Sequence, residues 1–280
     1  MTEESLPVEV ATPSDTAIAE FKPEIKHEIL QAEYKRRNDG SWSKILCMRI
    51  ERALSWLEHA EKCVSERDWD IAFISYWISY NALYANYELR TKNDEEAVQK
   101  KFNEDILKYE RGKNLFEVHK MLVKKREVVE GIVRHPLLCQ SHWEHLHSKK
   151  YGGKEKGGGW KDDLKNDNTG LSSNYDRLAD GIHDTDAGRE ILSLLFGRIY
   201  VLRNQMIHGG ARHGGEVNVS QVARCTKIMV FLIPLFIRTM MENPKPPKDG
   251  WGKPYSPIIR TGDGESWHIV WEEQLYLIHI

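Results

Sequence analysis

Arg203, Asn204 and His208 are the residues of this 280-residue chain whose types and spacing could do chemistry. An imidazole can move a proton near neutral pH. A guanidinium can bond two phosphate oxygens at once, and an amide can orient either partner. With no metal ligands beside them, the three suit chemistry on a phosphodiester. Asn204 and His208 stand one helical turn apart, so their side chains can touch. Arg203 and His208 are separated by about 140° around a helix axis, so one helix does not aim both at one point. A second surface, such as a second copy of the chain, has to complete the site. Arg198, Arg212 and His213 are candidate supporting cations, and Asn81 is a candidate from an earlier helix.

The element that positions the three is an amphipathic helix from Thr185 to His208. Ile191, Leu194, Leu195, Ile199, Leu202 and Met206 recur on one stripe, Asp186 and Glu190 complement the dipole at its start, and Gly209-Gly210 reads as its stop. Ser220 to Met241 is the most apolar helix, expected at the centre or at a subunit interface, and Asn243-Pro244 ends it. Ser43 caps a helix reaching Arg67, and Asp68 opens another that runs to about Leu89. In the latter, Phe73, Tyr76, Trp77, Tyr80, Tyr84 and Tyr87 share a narrow sector. They read as core, with a base-stacking platform as the alternative. Asn81, beside that stripe, reads either as a bridge between helices or as a site residue on the helix facing Arg203. Two further helices, Val98–Tyr109 and Leu115–Val133, are expected around a break at Arg111-Gly112.

The fold expected is therefore mainly α, an antiparallel helical bundle over 41–243. It follows a flexible polar arm at 1–40 and carries an insertion or loop at 136–185, where Gly152-Gly153 and Gly157-Gly158-Gly159 punctuate a Lys-rich stretch. A β-hairpin tail at 244–280 is expected from Pro257–Thr261, the turn Gly262-Asp263-Gly264, and Ser266–Trp271, with Gln274–Ile280 as a third strand.

Forty basic against forty-two acidic side chains give a net charge of −2, which excludes a global field for nucleic acid. Between Lys100 and Lys165, however, there are 16 Lys and Arg against 10 Asp and Glu. That excess either tracks a phosphate backbone, with Lys100, Lys101, Lys149, Lys150 and Lys154 as candidates, or is a solvated helix face. Cys139, His142, His145 and His147 offer metal-ligand types but no justified ligand geometry, so a His-rich loop is expected there, with neither metal nor cofactor. Scattered cysteines without a CxxC pair, an acidic start without an apolar core, and a longest apolar run broken by Pro234 point to a cytoplasmic chain without a membrane span.

Arg203-Asn204 followed by His208, late in a helical bundle, resembles the motif of the HEPN superfamily. The helix Phe73–Tyr84 with Asn81 looks like the second helix of its prokaryotic members, and His208-Gly209-Gly210 is similar to the way many of them leave the motif helix. The resemblance covers roughly 43–241; the arm, the insertion and the tail depart from a minimal family domain. It implies a metal-independent endoribonuclease that leaves 2′,3′-cyclic phosphate ends and acts as a homodimer through its motif helices. Such proteins serve as toxins or as defence and stress effectors, with RNA as substrate and an antitoxin or regulatory protein as a further partner. The family also includes non-catalytic modules that bind RNA or nucleotides.

Overall fold

The computed structural model describes residues 25–85, 92–113, 115–151, 159–181, 184–210, 212–215, 218–245 and 251. Residues 92–94, 151, 258–260 and 267–269 are described by backbone alone. The described chain is mainly helical.

Helix α1 (His27–Arg37) buries Leu30 and Tyr34, one turn apart, against α2 (Lys44–Ser65). Tyr34 also meets the Trp42 ring at 5.8 Å. The second half of the expected flexible arm is thus a docked helix. Its high charge density concealed a two-residue apolar stripe, and two of its charges find partners far along the chain: Arg238 lies 3.2 Å from Glu33, and Arg37 lies 3.3 Å from Glu242.

Ser43 caps α2 by accepting the Leu46 N–H at 3.2 Å, and Asp68 does the same for the Ile71 N–H at the start of α3 (Trp69–Tyr84). The two helices pack along their length. At the far end, fully buried Arg49 of α2 donates to the carbonyls of Ala82 and Ala85, 3.0 Å each, supplying acceptors of the last turn of α3 with a donor. Helix α3 stops at Tyr84, short of the expected Leu89, where Ala85 turns extended. Phe73, Tyr76, Trp77, Tyr80 and Tyr84 are all buried, which removes them as a base-stacking platform and makes them core; Tyr87 lies outside the described residues.

Helix α4 (Lys92–Gly112) is followed by α5 (Glu117–Lys124) and α6 (Arg126–Val133), so the helix expected over 115–133 is broken at Lys125. Phe116, left-handed at φ 50°, starts α5, and the buried Glu110 carboxylate accepts the Val118 N–H at 3.0 Å.

A 3-10 turn (Pro136–Leu138), α7 (Gln140–Tyr151) and α8 (Trp160–Asp180) occupy the stretch expected as an insertion or loop. Leu171, Tyr175 and Leu178 of α8 are buried, and the helix packs against α9 (Thr185–Ile207). Few apolar residues suffice because they fall on one narrow stripe; overall polarity hid the helical period.

Helix α10 (Val219–Glu242) packs against α1 through α6 and touches α9. It is long and apolar enough to cross a membrane, but 83% of that apolar window is buried among the other helices, as befits a core helix. Beyond it, β1 (Ile258–Arg260) and β2 (Trp267–Ile269) pair antiparallel with Ile258 opposite Ile269. The turn between them and the expected third strand, Gln274–Ile280, lie outside the described residues.

Candidate functional site

Helix α9 begins at Asp184, whose carboxylate accepts the Ala187 N–H at 2.9 Å. Arg177 of α8 grips the same carboxylate with two bonds of 2.9 Å. The Ala187 N–H first, and then Arg177, hold the Asp184 carboxyl below the usual range. From there Ile191, Leu192, Leu195, Phe196, Ile199 and Leu202 are buried. After Leu202 the helix leaves the core: Arg203 to Met206 are half-buried, and Ile207 onward is exposed.

The helix closes one residue earlier than expected, with His208 as its cap. Gly210 N–H bonds to the Gln205 carbonyl at 2.7 Å and Gly209 N–H to that of Met206 at 3.2 Å, the paired bonds of a Schellman ending. Gly209 takes φ 72°, which favours glycine, and a Cβ on Gly210 would lie a tight 3.0 Å from the Gln205 oxygen. Downstream, the Gly214 N–H donates to Asp70 at 2.7 Å and His213 lies 3.5 Å from Asp68, pinning the loop to the start of α3.

Arg203 is held from three sides. It donates to the Asn204 side-chain oxygen at 2.8 Å. Its guanidinium carbon lies 5.5 Å from the Tyr200 ring and 6.0 Å from the Trp77 ring. Its Nε is buried without a hydrogen-bond partner among the described residues. Behind it, Glu95 of α4 accepts from Tyr84 of α3 at 3.3 Å and from Tyr200 of α9 at 3.2 Å, one carboxylate joining three helices. Burial, then the Glu95 charge, pushes the Tyr200 phenol above its ordinary range. Asn81, one turn beyond Trp77 on α3, is half-buried, and its side-chain oxygen is likewise unpartnered.

The sequence candidates therefore separate. Arg203 and Asn204 are in contact, but Asn204 turns its oxygen to the arginine rather than to His208. Exposed His208 makes no side-chain hydrogen bond or ion pair among the described residues, and it meets Asn204 only through backbone. Arg198 is not a support for Arg203. It lies on another side of α9, buried, bonded to Asp167 of α8 at 2.5 Å. Burial outweighs that guanidinium and holds Asp167 above the usual carboxylate range. Arg212 is exposed in the loop.

Of the lysines, Lys101 pairs with Asp105 at 2.9 Å; Lys108–Glu104 and Arg126–Glu130 do likewise at 2.6 and 2.8 Å. These three pairs run along their own helices, as on a solvated face, and leave the net excess of the stretch unchanged. Lys100, Lys149 and Lys150 are exposed, and Lys154 lies outside the described residues. Cys139 is buried beside Ser141, and His142 is buried against the Trp160 ring at 4.5 Å, so the His-rich stretch is part of a helix rather than a loop. Among the described residues no group of three or more His, Cys, Asp or Glu side chains could hold a metal.

Sequence reasoning missed Tyr200 and Glu95. Tyr200 carried a signal, three and four residues before Arg203 and Asn204 on one face of the helix; Glu95 carried none. Four isoleucines of the two helices that flank Arg203 are partly exposed: Ile71, Ile74 and Ile78, spaced three and four apart on α3, and Ile207 at the end of α9. No family model matches the chain, and no curated protein or solved structure matches it.

Proposed function

We propose that the chain is a metal-independent endoribonuclease of the HEPN type, built on a helical bundle and acting on RNA as a homodimer. One observation carries the reading: at a single emergent helix end, Arg203 is pre-oriented by Trp77, Tyr200 and Asn204 with a buried Nε left over, while His208, at the cap of the same helix, is exposed to solvent. One chain leaves this site incomplete. In this reading a second copy seats on the partly exposed isoleucines of α3 and α9, which would bring two sets of Arg203 and His208 into one cleft.

In that cleft the imidazole of one His208 takes the proton of the 2′-hydroxyl, and the 2′-oxygen attacks phosphorus. The bond from phosphorus to the 5′-oxygen breaks, and the partner's His208, protonated, returns a proton to the leaving oxygen. Arg203 holds the non-bridging oxygens as charge builds on them. The products are a 2′,3′-cyclic phosphate and a 5′-hydroxyl. The setting we infer is cytoplasmic, as a toxin or a defence or stress effector held in check by an antitoxin or regulatory protein. The paired C-terminal segment is then a docking piece.

Purified chain incubated with RNA in excess EDTA is expected to yield cyclic-phosphate ends. His208→Ala and Arg203→Ala are each expected to lower the rate by about 10³-fold or more, with unchanged circular dichroism and oligomeric state. Full activity in His208→Ala sinks the assignment. The second reading, a non-catalytic RNA- or nucleotide-binding module, is favoured by the engagement of Asn204 with Arg203 rather than with His208. Tight RNA binding without turnover by the wild-type chain decides for it.

A further inference from the structure

One face of α8 walls an open groove of about 920 Å³, with Arg134 and Pro136 opposite, where α6 gives way to the 3-10 turn. Lys161, Lys165, Thr169, Ser172 and Asp176, spaced three and four apart on α8, line it. The helix carries five aspartates, yet only Asp176 is among the lining residues. Neither lysine has an ion pair among the described residues. Arg134 has only the Glu130 carboxylate, at 3.4 Å, and shares it with Arg126. Two unpaired cations one turn apart, across from a guanidinium that is half compensated, fit a run of phosphates.

Trp160 stands at the basic end of the groove. It is half-buried, held at 4.5 Å by the ring of buried His142, and the Lys161 ammonium lies 5.7 Å from its centre. A ring set among cations suits a single strand, whose bases are free to stack on it, whereas a duplex hides its base faces. The rest of the groove asks for donors. Thr169 spends its hydroxyl proton on the Lys165 carbonyl at 2.9 Å and offers lone pairs, and Asp176 accepts only. The Oδ1 of Asn168, on the same wall, has no partner among the described residues. Phosphate oxygens supply no donor. Ribose 2′-hydroxyls do, and deoxyribose lacks them. From Trp160 to Asp176 the helix rises about 24 Å, room for about four nucleotides, the low end of single-strand site sizes.

We infer that this groove holds single-stranded RNA, with a base on Trp160, phosphates on Lys161, Lys165 and Arg134, and sugar hydroxyls on Asn168, Thr169 and Asp176. The groove stands on its own lining. Its part in a reaction rests on the ribonuclease reading: the carbonyl of Leu137, next to Pro136, accepts the Gln205 amide of α9 at 2.9 Å, which ties the groove wall to the helix end that carries Arg203. In that reading the groove grips substrate beyond the bond that is cut.

Fluorescence anisotropy of the full-length His208→Ala chain, which in that reading binds RNA without cutting it, tests the groove. The labelled probes are single-stranded RNA, DNA of the same sequence, duplex RNA and polyglutamate. The single-stranded RNA is expected to bind at least about tenfold more tightly than each of the other three. Lys161→Gln/Lys165→Gln, at two exposed positions, is expected to weaken it by about tenfold or more and to lower the slope of log affinity against log salt by about 1.4. Trp160→Leu is expected to weaken it by about fivefold or more, and Thr169→Val to narrow the preference over DNA by about threefold or more. Lys62→Gln/Lys108→Gln, at two paired lysines outside the groove, is expected to leave binding within about twofold. Absent binding, equal affinity for DNA, duplex or polyglutamate, or affinity unchanged in a folded Lys161→Gln/Lys165→Gln protein overturns the groove. Retained binding by a wild-type chain that cuts no RNA overturns the ribonuclease reading instead. Where RNA is cut, the two lysine substitutions in the otherwise wild-type chain are expected to raise KM for a long single strand by about tenfold with kcat within about twofold, and an unchanged KM removes the link between groove and reaction.

Discussion

Helices α9 and α10 are nearly equal in length, 23 and 24 residues, yet they spend those residues differently. Helix α10 is buried on almost every side from Gln221 to Met241. Helix α9 is buried only as far as Leu202 and then carries Arg203, Asn204 and His208 out of the core. A position closed in on all sides is chosen for shape. A position at an emergent end, backed by a rigid helix, can be chosen for chemistry without unfolding the protein.

The largest effect that tests this contrast is on stability. Phe236 of α10 is fully buried among Tyr80, Phe102 and Phe196, with ring centroids about 6 Å away. Phe236→Ala is expected to lower unfolding free energy by about 3–5 kcal/mol in a urea titration. Arg203→Ala is expected to cost about 1 kcal/mol or less while removing activity. Equal destabilisation by the two would erase the distinction between core helix and site helix.

A second test uses pH. Glu110 is 1% exposed, and burial pushes its carboxyl up to about 7. The folded chain then holds this proton more tightly than the unfolded one. The stability it contributes is complete below about pH 4.5 and is lost as pH rises through about 7, by up to about 3 kcal/mol. Glu110→Gln keeps an acceptor for the Val118 N–H and is expected to flatten that part of the stability curve. An unchanged slope would place the titration elsewhere.

The smallest effect belongs to the end of α9. Gly209→Ala places a Cβ at φ 72° and is expected to cost about 1 kcal/mol. Because the Schellman ending also sets where His208 stands, activity is expected to fall by more than this loss of stability explains. Activity that falls only in step with the folded fraction would show that the ending serves the helix alone.

Much of the helical pattern was legible in the chain because it is written over short distances. Ser43, Asp68 and the Gly209-Gly210 pair each act within a few residues, and the apolar period of α9 and α10 repeats every turn. Regions of low apolar content failed that reading: α1 and α8 each bury a few residues on a narrow stripe that composition alone obscures. At the site, the types Arg203, Asn204 and His208 were legible, but their partners were not. Nothing local ties Arg203 to Trp77, 126 positions earlier, or Arg198 to Asp167.

The sequence alone determined the helical segments with a strong apolar period, where several of them start, and which side chains are equipped to move a proton or hold a phosphate. Tertiary structure decided what those side chains do in one chain. It caged Arg203 between rings of two helices, left His208 free, removed Arg198 to a different cleft, and turned the aromatic stripe inward. Helical period and capping arise from bonds between near neighbours. The pairing of a buried polar group depends on which distant helices the core brings beside it, and that is a property of the packed whole.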